Sequence, residues 1–380
     1  MIRKSLKLLY LFSMLLLVTG CWDTRTIGEK TIINGISFDL DKDNKIEINT
    51  LILELIGKGA GVYDFKNELL TAKKDSVYHA GMNLQSYLPG DITTSKTRVF
   101  LIGEEFSKVN FKRLIDTFTR KTISNINVEL AIVNKQPAKN ILDLKIVQNK
   151  PLSSILSDTL KAAAVRSISP QMDLHDFYTI NAERGIDSAL PIIDKTINDN
   201  VEVIGTGLLH NGMYTGNFIS ADQSPLLLMM MGRYGITGNF ITTIPENKKI
   251  KAPFNTIAYE IIRPRKKLSV STSKDKIVVN IAINTKVRVN ELTTIKILGE
   301  EEIRSYIQKD LNKRAQNVID DIQLANSDVI AIGRYLKEHN PQMWKKLNWE
   351  KVYPTIKIHT KVNVSILSTG AIGKESQLEE

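Results

Sequence analysis

A single thiol among 380 residues confines cysteine chemistry to one place. With no second cysteine, Cys21 can close no intrachain disulfide, and it rules out a Cys-based zinc site or an iron–sulfur cluster. Its setting, Val18-Thr19-Gly20-Cys21, suits a different reaction: acylation of the thiol and cleavage of the chain between Gly20 and Cys21. The small side chains of Thr19 and Gly20 admit the cleaving enzyme. Elsewhere the reactive groups are poorly arranged for catalysis. His79, His175, His210, His339 and His359 form no i,i+4 pair, and no H-E-x-x-H, G-x-S-x-G or phosphate-binding loop occurs. His175-Asp176 places a base beside a carboxylate, yet no nucleophile adjoins it, so the pair reads as the polar face of a helix. Asp39, Asp41 and Asp43 imitate the first ligands of an EF-hand. Asn44 and Thr50 then stand where the loop needs glycine and a bidentate glutamate, so a solvated turn is the better reading. Gly57-Lys58-Gly59-Ala60-Gly61-Val62 lacks the third glycine of a dinucleotide loop and reads as a glycine-rich loop. The expected catalytic, cofactor and metal sets are therefore empty, the ligand set is unknown, and the chain reads as non-enzymatic.

The elements around Cys21 give that cysteine its meaning. Arg3, Lys4 and Lys7 precede an apolar run from Leu8 to Val18, relieved only by Tyr10 and Ser13. Spanning a bilayer takes about 20 apolar residues, so this is the core of an export signal. A small-residue tripeptide ending on cysteine directly after such a core is the lipobox pattern of bacterial lipoproteins. Residues 1–20 are expected to be removed, leaving S-diacylglyceryl and N-acyl groups on Cys21. More than one acyl chain meets the requirement for stable anchoring. No other stretch reaches spanning length, so the mature chain is expected to be exported and held to a membrane by its first residue.

Composition fits a folded body: 42% hydrophobic and 24% charged residues exclude disorder, and a net charge of +10 suits an anionic surface. Thr31–Leu40 and Lys45–Leu55 read as a hairpin about a polar Asp41–Asn44 turn. About nine extended residues separate Cys21 from the first strand, a reach of at most about 30 Å. Helices are expected over 76–88, 111–120, 151–166 and 172–184, and strands over 98–102 and 128–133. From about residue 201 strands dominate: 201–209, 213–219, 256–262, 268–272, 277–289 and 355–367. Ile303, Ile307, Leu311, Ala315, Val318, Ile319 and Ile322 recur at helical steps, which predicts a long helix from Gly299 packed on an antiparallel sheet. The reading is thus a multi-domain α+β, mixed α/β chain. Its parts are an N-terminal region over 21–200, with about 45–125 as the segment that would divide it in two, a C-terminal α+β domain over 201–372 and a polar tail over 373–380.

Two further runs have a functional reading beside a plain one. Arg263-Pro264-Arg265-Lys266-Lys267 is expected at a hairpin tip, solvated or touching anionic lipid. No aromatic residues interleave it, so nucleic acid is not an expected partner. Leu226–Met231 (LLLMMM) is a helix apolar all round, which something must bury, either the core or a partner.

Taken in order, these segments resemble the Ger(x)C family, the lipoprotein C subunits of spore germinant receptors. The match opens with Cys21, Trp22, Asp23, Arg25 and Ile27 and continues through Gly35–Asp39, Val99–Glu105 and Thr119-Arg120. It then takes in Gly205–Leu208, Tyr214–Gly216, the helix before Gly232, Asp328–Gly333, Pro341, Trp344 and the closing strand to Gly370. Thr26 stands where relatives usually carry an acid, and Ser37 where glycine is common. The resemblance implies a non-catalytic subunit on the outer face of the spore inner membrane. Its partners there would be an A-type subunit and a transporter-like B-type subunit of a nutrient receptor. It transfers no nutrient-binding residue. The competing reading is a solute-binding lipoprotein of an importer, which would show two α/β lobes about a polar cleft.

Overall fold

A computed structural model describes residues 30–59, 62–88, 90–120, 125–145, 150–245, 255–273, 276–294 and 298–368. Cys21 and Gly20 lie outside them, as does the tail.

The first sheet has nine strands: β1 (Lys30–Leu40), β2 (Ile46–Gly59), β3 (Val62–Lys74), β4 (Asp91–Thr93), β5 (Val99–Gly103), β6 (Glu129–Val133), β7 (Ala189–Lys195), β8 (Val201–His210) and β9 (Met213–Ser220). Their order is β3-β2-β1-β5-β6-β7-β8-β9, with β4 paired to the start of β1. The centre, β1-β5-β6-β7, is parallel, while the outer pairs are antiparallel hairpins. Parallel strands need crossovers and are covered on both faces, which explains why every residue of β5 and β6 is buried. Phe100, Ile102, Leu130 and Ile132 point into one layer with Phe38, Phe106, Phe111 and Phe177. Val99, Leu101, Ala131 and Val133 point into the other, under Leu152, Leu156 and Leu160.

Helices α1 (Val77–Gln85), α2 (Glu104–Ser107), α3 (Phe111–Leu114), α4 (Thr117–Arg120) and α7 (Leu174–Ile180) lie on the phenylalanine side. α5 (Lys139–Leu142) and α6 (Leu152–Val165) lie on the other. The helix expected over 111–120 is two single turns. The one expected over 172–184 stops at Ile180, and the chain turns through Gly185 at φ +86°. The sheet continues across residue 200, since β8 pairs with β7 in register Ile192↔Gly205. The segment from 45 to 125 supplies β2, β3, β4 and β5 to the same sheet.

The second sheet runs β10 (Asn239–Thr243), β11 (Thr256–Ser273), β12 (Lys276–Thr293) and β13 (Lys357–Ser368). The first three are antiparallel, and β13 joins β12 in parallel through the crossover helix α9 (Glu300–Leu324). All seven apolar residues of the predicted stripe on α9 are buried. Its polar residues fasten both edges of the sheet. On β13, the Asn312 amide donates to the Val362 carbonyl (2.9 Å), its oxygen accepts from the Val362 N–H (2.9 Å), and Gln308 Oε1 accepts from the Val364 N–H (3.1 Å). On β10, Thr242 Oγ1 donates to Asp310 and Arg314 Nη2 donates to the Ile241 carbonyl.

One expectation is overturned here. Arg263–Lys267 is no hairpin tip, because β11 runs through it. Ile262 faces Lys286 and Arg265 faces Asn284, so two residues bulge out opposite one. Pro264, which has no N–H to give a ladder, falls in that bulge, and Arg263 takes φ +48° to form it.

Helix α8 (Ser224–Met231) is held between the sheets, with Leu226, Leu227, Leu228 and Met230 fully buried. The core, not a partner, covers it. Leu227→Ala is expected to cost about 2–5 kcal/mol of unfolding free energy in urea denaturation.

Candidate functional site: the joint between the sheets and an apolar groove

After α9 the chain passes Ser327 and Asp328 into α10 (Ile332–His339), and there it meets the lead-in to β7. The two backbones clasp each other. Asp187 N–H donates to the Asp328 carbonyl (3.1 Å), and Asp328 N–H donates to Asp187 Oδ2 (2.9 Å). Arg334 N–H donates to the Gly185 carbonyl (2.7 Å), and Ser327 Oγ donates to the Leu209 carbonyl. The fully buried Asp328 carboxylate accepts from Ile332 N–H (2.9 Å), Gly333 N–H (2.8 Å) and Trp349 Nε1 (3.0 Å). Asp187 also accepts from Asn211 N–H (2.9 Å), and His210 Nδ1 lies 3.4 Å from it. Burial pushes the Asp328 carboxyl up to about 8, and the Asp187 contact raises the His210 imidazole.

Beside the clasp opens a cleft of about 860 Å³, bounded by Arg184, His210, Trp344 and Glu350. His210 and Asp187 have the look of an acid–base couple. Their neighbours are already committed, however: Ser327 Oγ donates its proton to a carbonyl, and Tyr353 OH donates to the Ser327 carbonyl (3.1 Å). The arrangement is that of a rivet. Asp187, Ser327, the Asp328 backbone and the Arg334 N–H bind across the seam, while the Asp328 carboxylate and the Tyr353 hydroxyl brace its C-terminal side.

The groups singled out from sequence fall mostly outside this joint. Asp39 is buried and accepts from Ala138 N–H (2.7 Å) and Lys139 N–H (3.0 Å), and Asp41 closes the β1–β2 turn through Asp43 and Lys45 N–H (both 2.9 Å). These carboxylates are spent on backbone donors. The glycine run Gly57–Val62 forms the end of the β2–β3 hairpin, with residues 60 and 61 outside the described residues. Asp173, His175 and Asp176 bring their ligand atoms within 4.8 Å at the start of α7, where Asp173 caps the Asp176 N–H (2.8 Å). The His175 and Asp176 side chains are largely open to solvent there. Of the joint, only Asp328–Gly333 and Trp344 carried a signal in the sequence. Gly185, Asp187 and His210 had none, since 141 positions separate the Asp187–Asp328 pair.

At the other end of the first sheet, an apolar groove of about 600 Å³ lies between the sheet, α1 and α4. Ile33, Ile36 and Ile48 floor it, and Tyr78, Met82 and Phe118 stand along its walls. Gln85 binds α1 to β4 on both sides of its amide, donating to the Gly90 carbonyl (2.6 Å) and accepting from Ile92 N–H (2.9 Å). Among the described residues no helix is long and apolar enough to cross a membrane.

Comparison with known proteins places this architecture. Residues 23–195 match the family "Spore germination protein N-terminal domain", and residues 204–370 match "Spore germination B3/ GerAC like, C-terminal". Spore germination protein KC of Bacillus subtilis (strain 168) is 20% identical over 97% of this chain and 97% of its own. Spore germination protein B3 of the same organism is 20% identical over 98% of this chain and 100% of its own. The crystal structure of the GerBC protein superposes with a TM-score of 0.52 at 16% identity, covering 88% of this chain and 97% of that one. The chain belongs to the Ger(x)C family of spore germination proteins. Its mixed fold, with two sheets and a long C-terminal helix, is the fold of GerBC.

Proposed function

We propose that this chain is a non-catalytic, lipid-anchored C subunit of a nutrient germinant receptor. Acylated Cys21 holds it at the outer face of the spore inner membrane, beside A-type and transporter-like B-type subunits. The observation that carries this reading is the unbroken order of export signal, lipobox and both family regions along one chain. Relatives named Spore germination protein A3, B3 and KC add to it. The non-catalytic part is supported by the way the buried carboxylates are consumed by backbone N–H groups. Anchoring confines the body to a thin layer at the membrane and raises its effective concentration toward membrane partners without new contacts.

The test is a pull-down of the mature chain from detergent-solubilised spore inner membranes. Recovery of a transporter-like subunit with an A-type companion supports the reading, whereas recovery of an ATP-driven importer replaces it with the solute-binding one. Cys21→Ala is expected to leave the melting transition unchanged, to move the chain out of the membrane fraction and to weaken germination in nutrient. A variant that stays membrane-bound and fully active would remove the anchor from the mechanism.

A further inference from the structure

Helix α1 presents a face that a core residue pattern does not explain. Val77, Ala80 and Leu84 are buried against the sheet, yet Tyr78 is 56% exposed, Met82 58% and, just past the helix, Tyr87 64%. Three large side chains of this kind on one short segment are an apolar patch, and Tyr78 and Met82 also border the groove beneath. The position of the patch says what covers it. β4, which lies along the groove and is tied to α1 through Gln85, pairs with the first residues of β1 in register Lys30↔Asp91 and Ile32↔Thr93. The chain ahead of Lys30 runs only about nine residues back to Cys21, a reach of at most about 30 Å. Cys21 is therefore confined to within about 30 Å of Lys30, whose partner strand β4 borders this patch. Lys96 and Arg98 are exposed in the turn that follows β4, and Arg120 lines the groove while paired to Asp116. Asp75, just before α1, and Glu68 on β3 are exposed acids near it. Tyrosine at a membrane interface keeps its ring among the acyl ends of the headgroup layer and its hydroxyl in water, and exposed cations suit an anionic leaflet.

We propose that the α1 face, with Tyr78, Met82 and Tyr87, is the surface on which the body rests on the lipid leaflet that holds its anchor. This rests on the anchoring reading above and goes further by naming the face. The tether alone would leave the body free to rotate. A second contact fixes its orientation, so that the joint and the C-terminal sheet are presented to other components in one pose.

The chain's lone cysteine makes the test direct, because an acylated Cys21 cannot take a thiol label. Met82→Cys, and separately Leu324→Cys at the exposed end of α9, each create one free thiol for a fluorophore on the full lipidated chain. Each labelled chain is reconstituted in vesicles of equal parts phosphatidylglycerol and phosphatidylcholine containing a lipid-borne collisional quencher. Quenching several-fold stronger at position 82 than at position 324, lost when Tyr78→Ser and Tyr87→Ser are added, is the expected result. Equal quenching at the two positions, with the chain still on the vesicles, overturns the docking face and leaves anchoring intact. Label on Cys21 itself, with the chain free of the vesicles, overturns both readings. A label at 82 unquenched in lipid alone, and shielded only when co-purified subunits are restored, gives the face to a protein and overturns the lipid assignment.

Discussion

Asp328→Ala is expected to lower the unfolding free energy by about 3–5 kcal/mol and the melting temperature by roughly 10 °C. The side chain is fully buried, and its loss orphans the N–H groups of Ile332, Gly333 and Trp349 together. Differential scanning calorimetry of the mature chain measures it, and a shift of only a degree or two would mean that water replaces the carboxylate. Asp328→Asn separates shape from charge. Burial raises the Asp328 carboxyl to about 8, against an ordinary value of 3.8, while the N–H donors of Gly333 and Ile332 pull the other way and the neighbouring Asp187 adds to the rise. The folded state thus holds a proton that the unfolded chain has already released. The stability this proton contributes is complete below about pH 4 and is lost as pH climbs through 8, at about 1.4 kcal/mol per pH unit. An amide does not titrate, so the stability gap between wild type and Asp328→Asn is expected to narrow from pH 5 to pH 8. A gap independent of pH would show that Asp328 is ionised throughout.

Gly333→Ala is the second large effect. A Cβ there would lie 2.6 Å from Trp349 Nε1 and 2.7 Å from Gly185 Cα. From the facing side, a Cβ on Gly185 would lie 2.6 Å from the Gly333 carbonyl carbon and 2.8 Å from Arg334 N, at φ +86°. Gly185 Cα, the Gly333 carbonyl carbon and Arg334 N are backbone, which cannot swing aside as a side-chain tip would, and the Trp349 ring is held by its bond to Asp328. Either substitution must part the lead-in of β7 from α10, at about 2–4 kcal/mol. Because both open the same seam, the double variant should cost less than the two single changes added together, which denaturant titrations of all four proteins would show. Gly81→Ala on α1 is the control. Nothing lies within 4 Å of the added methyl, and alanine in a helix interior should stabilise by about 0.5–1 kcal/mol.

What could be read beforehand was local in the chain. The heptad-like stripe of α9, the Asp41 turn and the apolar runs of β5 and β6 depend on neighbours a few residues away, and all of them formed as expected. Pairing was harder. β5 and β6 are recognisable as strands, but an evenly apolar strand carries no mark of which strand lies beside it. The basic run at Arg263–Lys267 misled because proline in a strand usually marks its end, and only the partner strand reveals the bulge that accommodates it. The joint was the least legible. Its parts come from positions near 185, 210, 328 and 349, and an aspartate bound for the interior has the same spelling as one bound for solvent. Cys21 is the reverse case: its context in the sequence is complete, and it lies outside the described residues.

The attachment of α9 to both edges of the second sheet bears on how the protein is made. β10, β11 and β12 are consecutive, yet the β13 edge that Asn312 and Gln308 must seal is the last strand among the described residues, with Asn363 opposite Asn284. A chain synthesised from its N-terminus presents β12 and the apolar stripe of α9 well before the strand that covers them. Until residues 357–368 follow, one edge of the 18-residue β12 lies open to any other chain in the same state. A chain cut short before residue 357 would therefore keep that edge open, and this sheet closes only once β13 has followed.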